Sequence, residues 1–502
     1  MDTNKESAIS IPLHISFMPV VFLITALMFT VIIFKDATTA GPAQVVLISA
    51  GFLTALLAVM KGQKWQPIEQ SIITSISDVM QACLILLLIG MVIGTWILSG
   101  VVPTIIYWGL KIITPSLFLF TACIISAFIS LATGSSWSTA GTIGVALMGI
   151  ASAAGIPLGL AAGAIISGAY FGDKMSPFSE TTNLAPSMSG TELFTHIKHM
   201  TYTTIPGITI ALILFLIIGF TQNIGSFDQN KISMISNIIS SKFDISLYIL
   251  SVPIITFIII IKKVPAIPAL FISILLAITC ALIFQKTVIL EMIQNKEVGY
   301  ITASYKVIIT TLSKGFNLKS GNEIVDKLLN KGGMYAMLQT IWLILSAMFF
   351  AGAMSGSGML HSIVMAIIKK AQSTRSIITA TLLTAIITNI LAAEQYLSIV
   401  ITGRMYQDIY KEKNLHPKNL SRALEDAGTL TSPLVPWNTC GSYMSTTLGV
   451  STLSYLPFAF LNLIVPVISF VYGLIGLTIE KINNEEKEEQ QEISPHPPQQ
   501  GA

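Results

Sequence analysis

Apolar runs separated by short polar stretches recur along the whole chain. Most approach or exceed the ~20 residues a helix needs to cross a ~30 Å hydrocarbon core. Leu13–Phe34 and Ala43–Met60 come first, separated by a turn holding Lys35, Asp36, Gly41 and Pro42, and Ile72–Leu98 is the third run. Val101–Ile113 is too short to cross and reads as an interfacial helix. Further spans are expected at Thr201–Phe220, Ser246–Ile261, Val264–Phe284, Tyr335–Met354 and Leu453–Leu477. The pattern predicts an all-α polytopic membrane protein.

Two kinds of segment break the pattern. Pro115–Leu147 is apolar at both ends and polar in the middle, from Thr133 to Gly141, which fits one broken helix or a re-entrant hairpin. Ser376–Gly403 has the same layout, with Asn389, Glu394 and Gln395 at its centre. The second kind starts with the small-residue stretch Gly155–Ile166 and runs into SGAYFGDKMSPFSETTNLAPSMSG, Ser167–Gly190. Gly172, Pro177 and Pro186 disfavour a continuous helix, and Asp173, Lys174, Glu180, Thr181, Thr182 and Asn183 are polar. DAGTLTSPLVPWNTCGSYMSTT, Asp426–Thr447, is its counterpart. Inside a bilayer, broken polar backbone survives only where protein or a watery cavity surrounds it.

These features repeat at a shift of 256 residues: Ser99-Gly100 falls on Ser355-Gly356, Gly172 on Gly428, and Ser176-Pro177 on Ser432-Pro433. At the same shift, Asn438 and Thr439 mirror Thr182 and Asn183. Lys61 and Lys64 place the N-terminus and residues 61–70 in the cytoplasm. Lys369, Lys370 and Arg375 before the second hairpin, and Arg404, Lys411, Lys413, Lys418 and Arg422 after it, put both its ends there too, which favours re-entry. Residues 148–166 carry no basic residue, so the first hairpin opens outward.

The expected architecture is therefore an inverted repeat of two five-span halves, each with a re-entrant hairpin and a discontinuous helix, ten crossings in all. The first repeat occupies 1–222, the second begins at 223–284 with two spans and resumes at 334–479, and a disordered cytoplasmic tail fills 480–502. Between them, the connection 285–333 holds seven lysines against four acids, yet the span count places it outside, against the charge rule.

Composition narrows the class further. The chain of 502 residues is 53% hydrophobic and 11% charged, with a net charge of +3, and its basic residues lie between apolar runs. No nucleic-acid footprint is present. Cys83, Cys123, Cys280 and Cys440 stand singly, which suggests neither a disulfide framework nor a structural zinc site. The first run reads as a signal anchor without a cleaved peptide. No nucleophile, base and orienting group share a recognisable spacing, so an enzyme is not expected. A channel is disfavoured by the repeated polar breaks, which suit alternating access.

The segments GDKMSPFSETTNLAPSMSGTELFTHIKHM and LEDAGTLTSPLVPWNTCGSYMSTTLGV, with AAEQYLSIVITGRMY between them, resemble the NhaC family of bacterial sodium/proton antiporters. The likeness runs from about Leu13 to Leu477. It implies cation exchange at the inner membrane, within a superfamily of inverted-repeat transporters with two re-entrant hairpins. Some relatives look like exchangers of malate and protons for sodium and lactate, so the resemblance leaves the substrate open.

The chemistry of the residues points the same way. Hairpins entering from opposite sides would bring Ser135, Ser136, Ser138 and Thr139 together with Asp173–Asn183, Asn389–Gln395 and Asp426–Thr439. Carboxylates, hydroxyls, amides and freed carbonyls are the oxygens a hard cation takes. A carboxylate that alternately holds sodium and a proton couples the two by competition.

The expected ion and substrate ligands are Asp173, Glu180, Thr181, Thr182, Asn183, Ser135, Ser136, Ser138, Asn389, Glu394, Gln395, Thr431, Asn438 and Thr439. Sodium is expected on Asp173, Asn183, Glu394 and Asn438, with Glu394 as the proton carrier. Each has a plainer alternative. Asp173 could pair with Lys174, Asp426 with Arg422, and the hydroxyls could bond their own backbone. Asp78 is expected among headgroups, and His196 and His199 in a solvated loop.

No cofactor is called for beyond the transported sodium and protons. The other expected partners are the lipid bilayer, a second copy of the chain in a homodimer and, for an organic-anion exchanger, malate and lactate. Such an exchanger would hold carboxylates on hydroxyls, amides and helix N-termini, and the lack of an obvious central arginine counts against it.

Overall fold

Long apolar stretches without interior breakers form the expected helices. A computed structural model describes residues 11–34, 38, 40–112, 114–221, 229–262, 264–293 and 299–482. The tail beyond Ile482 and the turn at Lys35 and Asp36 lie outside the described residues. α1 (Leu13–Phe34) and α2 (Pro42–Met60) match their expected bounds closely. α3 (Trp65–Asp78) and α4 (Met80–Leu98) form one long rod that bends at Val79. This start lies well upstream of the expected Ile72. Gln66, Glu69 and Gln70 read as loop, but α3 is amphipathic and buries Ile68, Ile72 and Ser75. Asp78 therefore sits within this rod, with its side chain exposed.

α5 (Val101–Ile112) is short and amphipathic, as expected, and leads into α6 (Pro115–Thr133). After Gly134 a helical run returns as α7 (Ser136–Thr139), a π-helical turn Ala140–Gly144 and α8 (Val145–Ala154). α9 (Leu158–Met175) then runs parallel to α6: Gly168 abuts Cys123 and Gly172 abuts Leu131. The chain between them has thus come back to the level at which α6 began. Both arms, Ser116–Thr133 and Ser136–Ala154, are long and apolar enough to cross a membrane.

α9 does not break at Gly172. It continues through Asp173 and Lys174, and the interruption is confined to Ser176–Ser179 before α10 (Glu180–Ser189). Gly172 serves close packing instead, since a Cβ there would lie 2.3 Å from Leu131 N. α11 (Leu193–Thr221) starts two turns earlier than expected, and His196 and His199 are buried in it rather than solvated. His196 Nδ1 meets Ser421 Oγ at 2.8 Å, and His199 lies 3.6 Å from Glu480.

The second part begins with α12 (Gln229–Lys242), α13 (Ser251–Ile261) and α14 (Ala266–Phe284). Within the lysine-rich connection lie α15 (Lys286–Ile293), α16 (Tyr300–Lys314) and α17 (Glu323–Leu329). It is folded against the membrane helices: Gly333 N–H donates to Gly90 O at 2.6 Å. There Asp326 accepts the Ser320 N–H at 2.7 Å, and the bonds from Ser320 hold this half-buried carboxyl below its ordinary range.

α18 (Met334–Gly356) packs between α2, α3 and α4. α19 (Met359–Lys370) is amphipathic like α5. α20 (Thr374–Leu391) and α21 (Gln395–Glu412) form an antiparallel hairpin, with Thr384 meeting Tyr406 at 2.9 Å and Ser398 Oγ donating to Ala385 O at 2.8 Å. α22 (Pro417–Ala423) passes into a π-helical turn, Leu424–Thr429, and a 3-10 turn, Ser432–Leu434. The second interruption, Val435–Asn438, precedes α23 (Thr439–Leu448), α24 (Thr452–Tyr455) and α25 (Phe460–Ile475).

Among the described residues nine helices are long and apolar enough to cross a membrane, or eleven if two bent pairs each make one span. Large apolar side chains such as Val21, Met28 and Ile32 face outward on these helices, where lipid replaces water. The protein is a polytopic all-helical membrane protein.

Candidate functional site

Both hairpin tips use the same backbone device. Gly134 has φ +68° and Ala393 has φ +53°, each followed by the residue that caps the next helix. Ser135 Oγ accepts the Ser138 N–H at 3.1 Å, and the Glu394 carboxylate accepts the Leu397 N–H at 2.9 Å. Glycine suits the first tip because a Cβ there would lie 2.6 Å from the Phe178 carbonyl carbon. Tip and interruption are thus in contact. At the second tip, Thr439 N–H donates to Ala393 O at 2.9 Å and Trp437 Nε1–H to Ile390 O at 2.9 Å.

The interruptions also share a plan. Ser179 caps α10 and Asn438 caps α23, and both helices end on a left-handed glycine, Gly190 and Gly449. Ser179 and Asn438 are 259 positions apart, as are Ser135 and Glu394. The shift is 256 at Gly172–Pro177 but 259 at the tips and at the caps, because the path from Pro433 to Asn438 is three residues longer than that from Pro177 to Ser179. Asn438 therefore occupies the place of Ser179, not of Thr182, and Thr439 that of Glu180.

A cavity of about 520 Å³ lies where the tips meet the first interruption. Of the expected ligands, Ser135, Ser138, Asp173, Glu180, Thr181, Asn183, Glu394 and Gln395 line it. No Lys, Arg or His does so among the described residues. Asp78, at the bend between α3 and α4, also reaches its wall. Asp173 sits at the N-terminus of the returning arm: Oδ2 accepts from Ser136 N–H at 3.2 Å and from Ser136 Oγ at 2.6 Å, and Oδ1 from Ser179 Oγ at 2.6 Å. Glu394 occupies the matching position on α21, and Thr439 Oγ1 donates to its Oε1 at 3.5 Å. Each buried carboxylate thus meets the positive end of a helix. Glu180 is more exposed and is bonded by the Tyr396 hydroxyl.

Thr182, Asn389, Thr431 and Asn438 do not line the cavity, and they and the amides of Asn183 and Gln395 tie the surrounding backbone together. Thr182 Oγ1 donates to the carbonyls of Asp173 and Lys174 at 2.9 and 3.0 Å. Asn183 Nδ2 donates to Ser179 O at 2.6 Å. Asn389 Nδ2 donates to Thr431 Oγ1 at 3.0 Å and also to the Gly428 carbonyl, and Asn438 Nδ2 donates to Asn389 O at 3.1 Å. Gln395 Oε1 accepts from Ser432 Oγ at 2.7 Å, beside Cys440 Sγ.

Beneath the cavity the structure assembles charges that the sequence had separated. Lys174 pairs with Asp426, and both side chains are fully buried. Thr203 Oγ1 donates to Asp426 Oδ1 at 3.0 Å, and Arg422 Nε lies 4.0 Å from Oδ2. Lys174 thus answers Asp426 across the fold and not its neighbour Asp173. Glu425, next in sequence to Asp426, is fully buried as well. The π-helical turn that carries both acids is a frequent mark of functional sites. Above this cluster, Trp137 and Tyr443 stack at 4.0 Å across the two hairpin systems, and Tyr443 OH donates to Trp137 O at 2.6 Å.

Comparison with known proteins agrees with this picture. A model of the Na+/H+ antiporter family matches residues 168–477, the stretch that holds both interruptions and the second hairpin. The chain is 38% identical over 417 residues to the Na(+)/H(+) antiporter NhaC of Alkalihalophilus pseudofirmus, covering 83% of this chain and 87% of the relative. It is 38% identical over 456 residues to the malate-2H(+)/Na(+)-lactate antiporter of Bacillus subtilis, covering 91% and 93%. An arginine/ornithine antiporter, ArcD of Halobacterium salinarum, is 34% identical over 431 residues, 86% of each chain. On the family match and the near full-length identity together, this chain belongs to the Na+/H+ antiporter family.

Proposed function

We propose that this secondary antiporter exchanges sodium for protons, with the cavity between the hairpin tips as its ion site. One observation carries the reading: Asp173, Glu180 and Glu394 converge on a cavity that no basic side chain lines among the described residues. Such a site is cation-selective by charge and offers the oxygens sodium needs. Sodium binding to Glu394 displaces its proton, and proton return expels sodium. Asp173, steadied by Ser136 and Ser179, supplies the second charge, and the Ser135, Ser138 and Thr181 hydroxyls on the cavity wall add neutral oxygens. An inverted repeat, with both termini cytoplasmic in a bacterial inner membrane, accounts for the paired tips and paired interruptions. Rocking of one half against the other would open the cavity to each side in turn.

The test is internal pH in proteoliposomes at clamped potential after a sodium jump with no organic acid present. Sodium-driven proton movement is expected, and its absence at full incorporation rejects the reading.

Exchange of organic anions is a second reading, favoured by the malate–lactate relative. The N-terminal ends of α7, α10, α21 and α23 gather near the cavity, as a substrate carboxylate would require. In that case the pH change appears only when malate or lactate is supplied.

A further inference from the structure

Glu425 is fully buried, and among the described residues no group meets hydrogen-bond geometry with either of its carboxylate oxygens. Its neighbour Asp426 takes up the available cations, Lys174 and Arg422. The hydroxyls of Thr429, on the same π-helical turn, and of Thr181, on α10 packed against that turn, are the polar groups beside Glu425, and the charges facing it are Lys174 and Asp173. Glu425 does not line the cavity, but Thr181 does. A row of hydroxyls connects the two: Ser179 Oγ lies 2.6 Å from Asp173 Oδ1 and 3.1 Å from Thr181 Oγ1, and Thr181 faces Glu425. An unpartnered ionised carboxylate in such surroundings is costly, and a proton removes most of that cost.

Given sodium–proton exchange at the cavity, we propose that Glu425 is a second proton-carrying group of the cycle, loaded from the cavity through Ser179 and Thr181. When Asp173 takes up a proton on Oδ1, the Ser179 hydroxyl turns from Asp173 to Thr181 and the Thr181 hydroxyl turns to Glu425; the Asp173 proton then bonds to Ser179 Oγ while the Ser179 hydrogen passes to Thr181 Oγ1. The Thr181 hydrogen then passes to a Glu425 oxygen. Both hydroxyls end as they began, the carboxylate becomes a carboxylic acid, and nothing is oxidised or reduced. Sodium has no such route, since hydroxyls relay only protons and the Lys174 ammonium repels a cation. Coupling is electrostatic: sodium held by Asp173 cancels the negative charge facing Glu425, so its arrival favours release of the Glu425 proton. One proton then leaves Glu394 by direct competition and another leaves Glu425 for each sodium bound, the latter bonding to Thr181 Oγ1 as the Thr181 hydrogen passes into the cavity that Thr181 lines.

The experiment measures the proton-to-sodium ratio from reversal potentials in proteoliposomes, for wild type, Glu425→Gln and Thr181→Val. A wild-type ratio of two that falls to one in both variants is expected. A wild-type ratio of one, or an unchanged ratio in Glu425→Gln, overturns the proposal while leaving exchange itself standing. A wild type that moves no protons with sodium fails the exchange reading instead. Should Glu425→Gln not insert, wild-type protein is treated with an apolar carbodiimide, which modifies buried protonated carboxyls, and its peptides are mapped. An adduct on Glu425 that diminishes when sodium is added is expected. No adduct, or one indifferent to sodium, overturns the proposal.

Discussion

Asp426→Asn is the substitution whose cost follows most directly from the structure. Lys174 and Asp426 are both fully inaccessible, so their charges are compensated by each other and by Arg422, with no water to take over. Asparagine keeps the shape and a partner for Thr203, but it leaves two buried cations without their shared anion. Breaking a buried pair from one side costs about 3–5 kcal/mol. Lys174→Met is milder, at about 1–3 kcal/mol, because Asp426 keeps Arg422 and Thr203. The double variant should lose less than the sum, by a coupling energy of about 2 kcal/mol. Purified protein in detergent is heated in steps, and the folded fraction is read as the monodisperse peak on size exclusion. Asp426→Asn should lose that peak at a lower temperature than Lys174→Met, and the double variant should recover part of the loss. A wild-type profile for Asp426→Asn, or strictly additive losses, refutes the reasoning.

Glu394→Gln should lower sodium-coupled proton flux about a hundredfold or more while the protein still inserts, and wild-type flux would remove Glu394 from the mechanism. Asp173→Asn should weaken apparent sodium affinity roughly tenfold, and an unchanged affinity in flux assays would return Asp173 to capping the returning arm. Gly172→Ala forces a Cβ to within 2.3 Å of Leu131 N, so α6 and α9 must part. A markedly lower yield of folded protein is expected, and wild-type yield and melting would contradict the close approach. In the connection, the depressed Asp326 carboxyl keeps its bonds from Ser320 above the ordinary carboxylate range and loses them as pH falls through its lowered value. The protection factor of the Ser320 amide, its exchange referred to the free-chain rate at each pH, should be flat from neutral to mildly acidic pH and fall only in stronger acid.

The sequence disclosed those parts of the site whose polarity contrasts with its surroundings. Glu394 between LAA and QYLSIVI has no local partner, and the structure puts it at a hairpin tip facing the cavity. Gly134, Ser135 and Asp173 were visible for the same reason. Where a polar residue has a plausible neighbour, the sequence misleads. Asp426 reads as a partner of Arg422, which does lie 4.0 Å away, but its main partner, Lys174, is 252 residues away. His196 and His199 read as loop because their helix turns are polar, while in the fold Ser421 and the segment at Glu480 cover them. The interruptions were recognised, but their limits were drawn too wide, since π-helical and 3-10 turns carry the chain to Leu434 before it breaks. Repeat spacing cannot show a three-residue insertion between two matched prolines and the next cap. That insertion moved Asn438 to the place of Ser179.

The central claim is that sodium and protons compete for the same carboxylates, and proton release on sodium binding tests it most directly. Purified wild-type protein in weakly buffered solution is titrated with sodium chloride while pH is followed, with choline chloride as the control. The account predicts stoichiometric acidification that saturates with sodium, disappears for choline and is reduced in Glu394→Gln. Sodium binding seen by calorimetry with no proton released would contradict it.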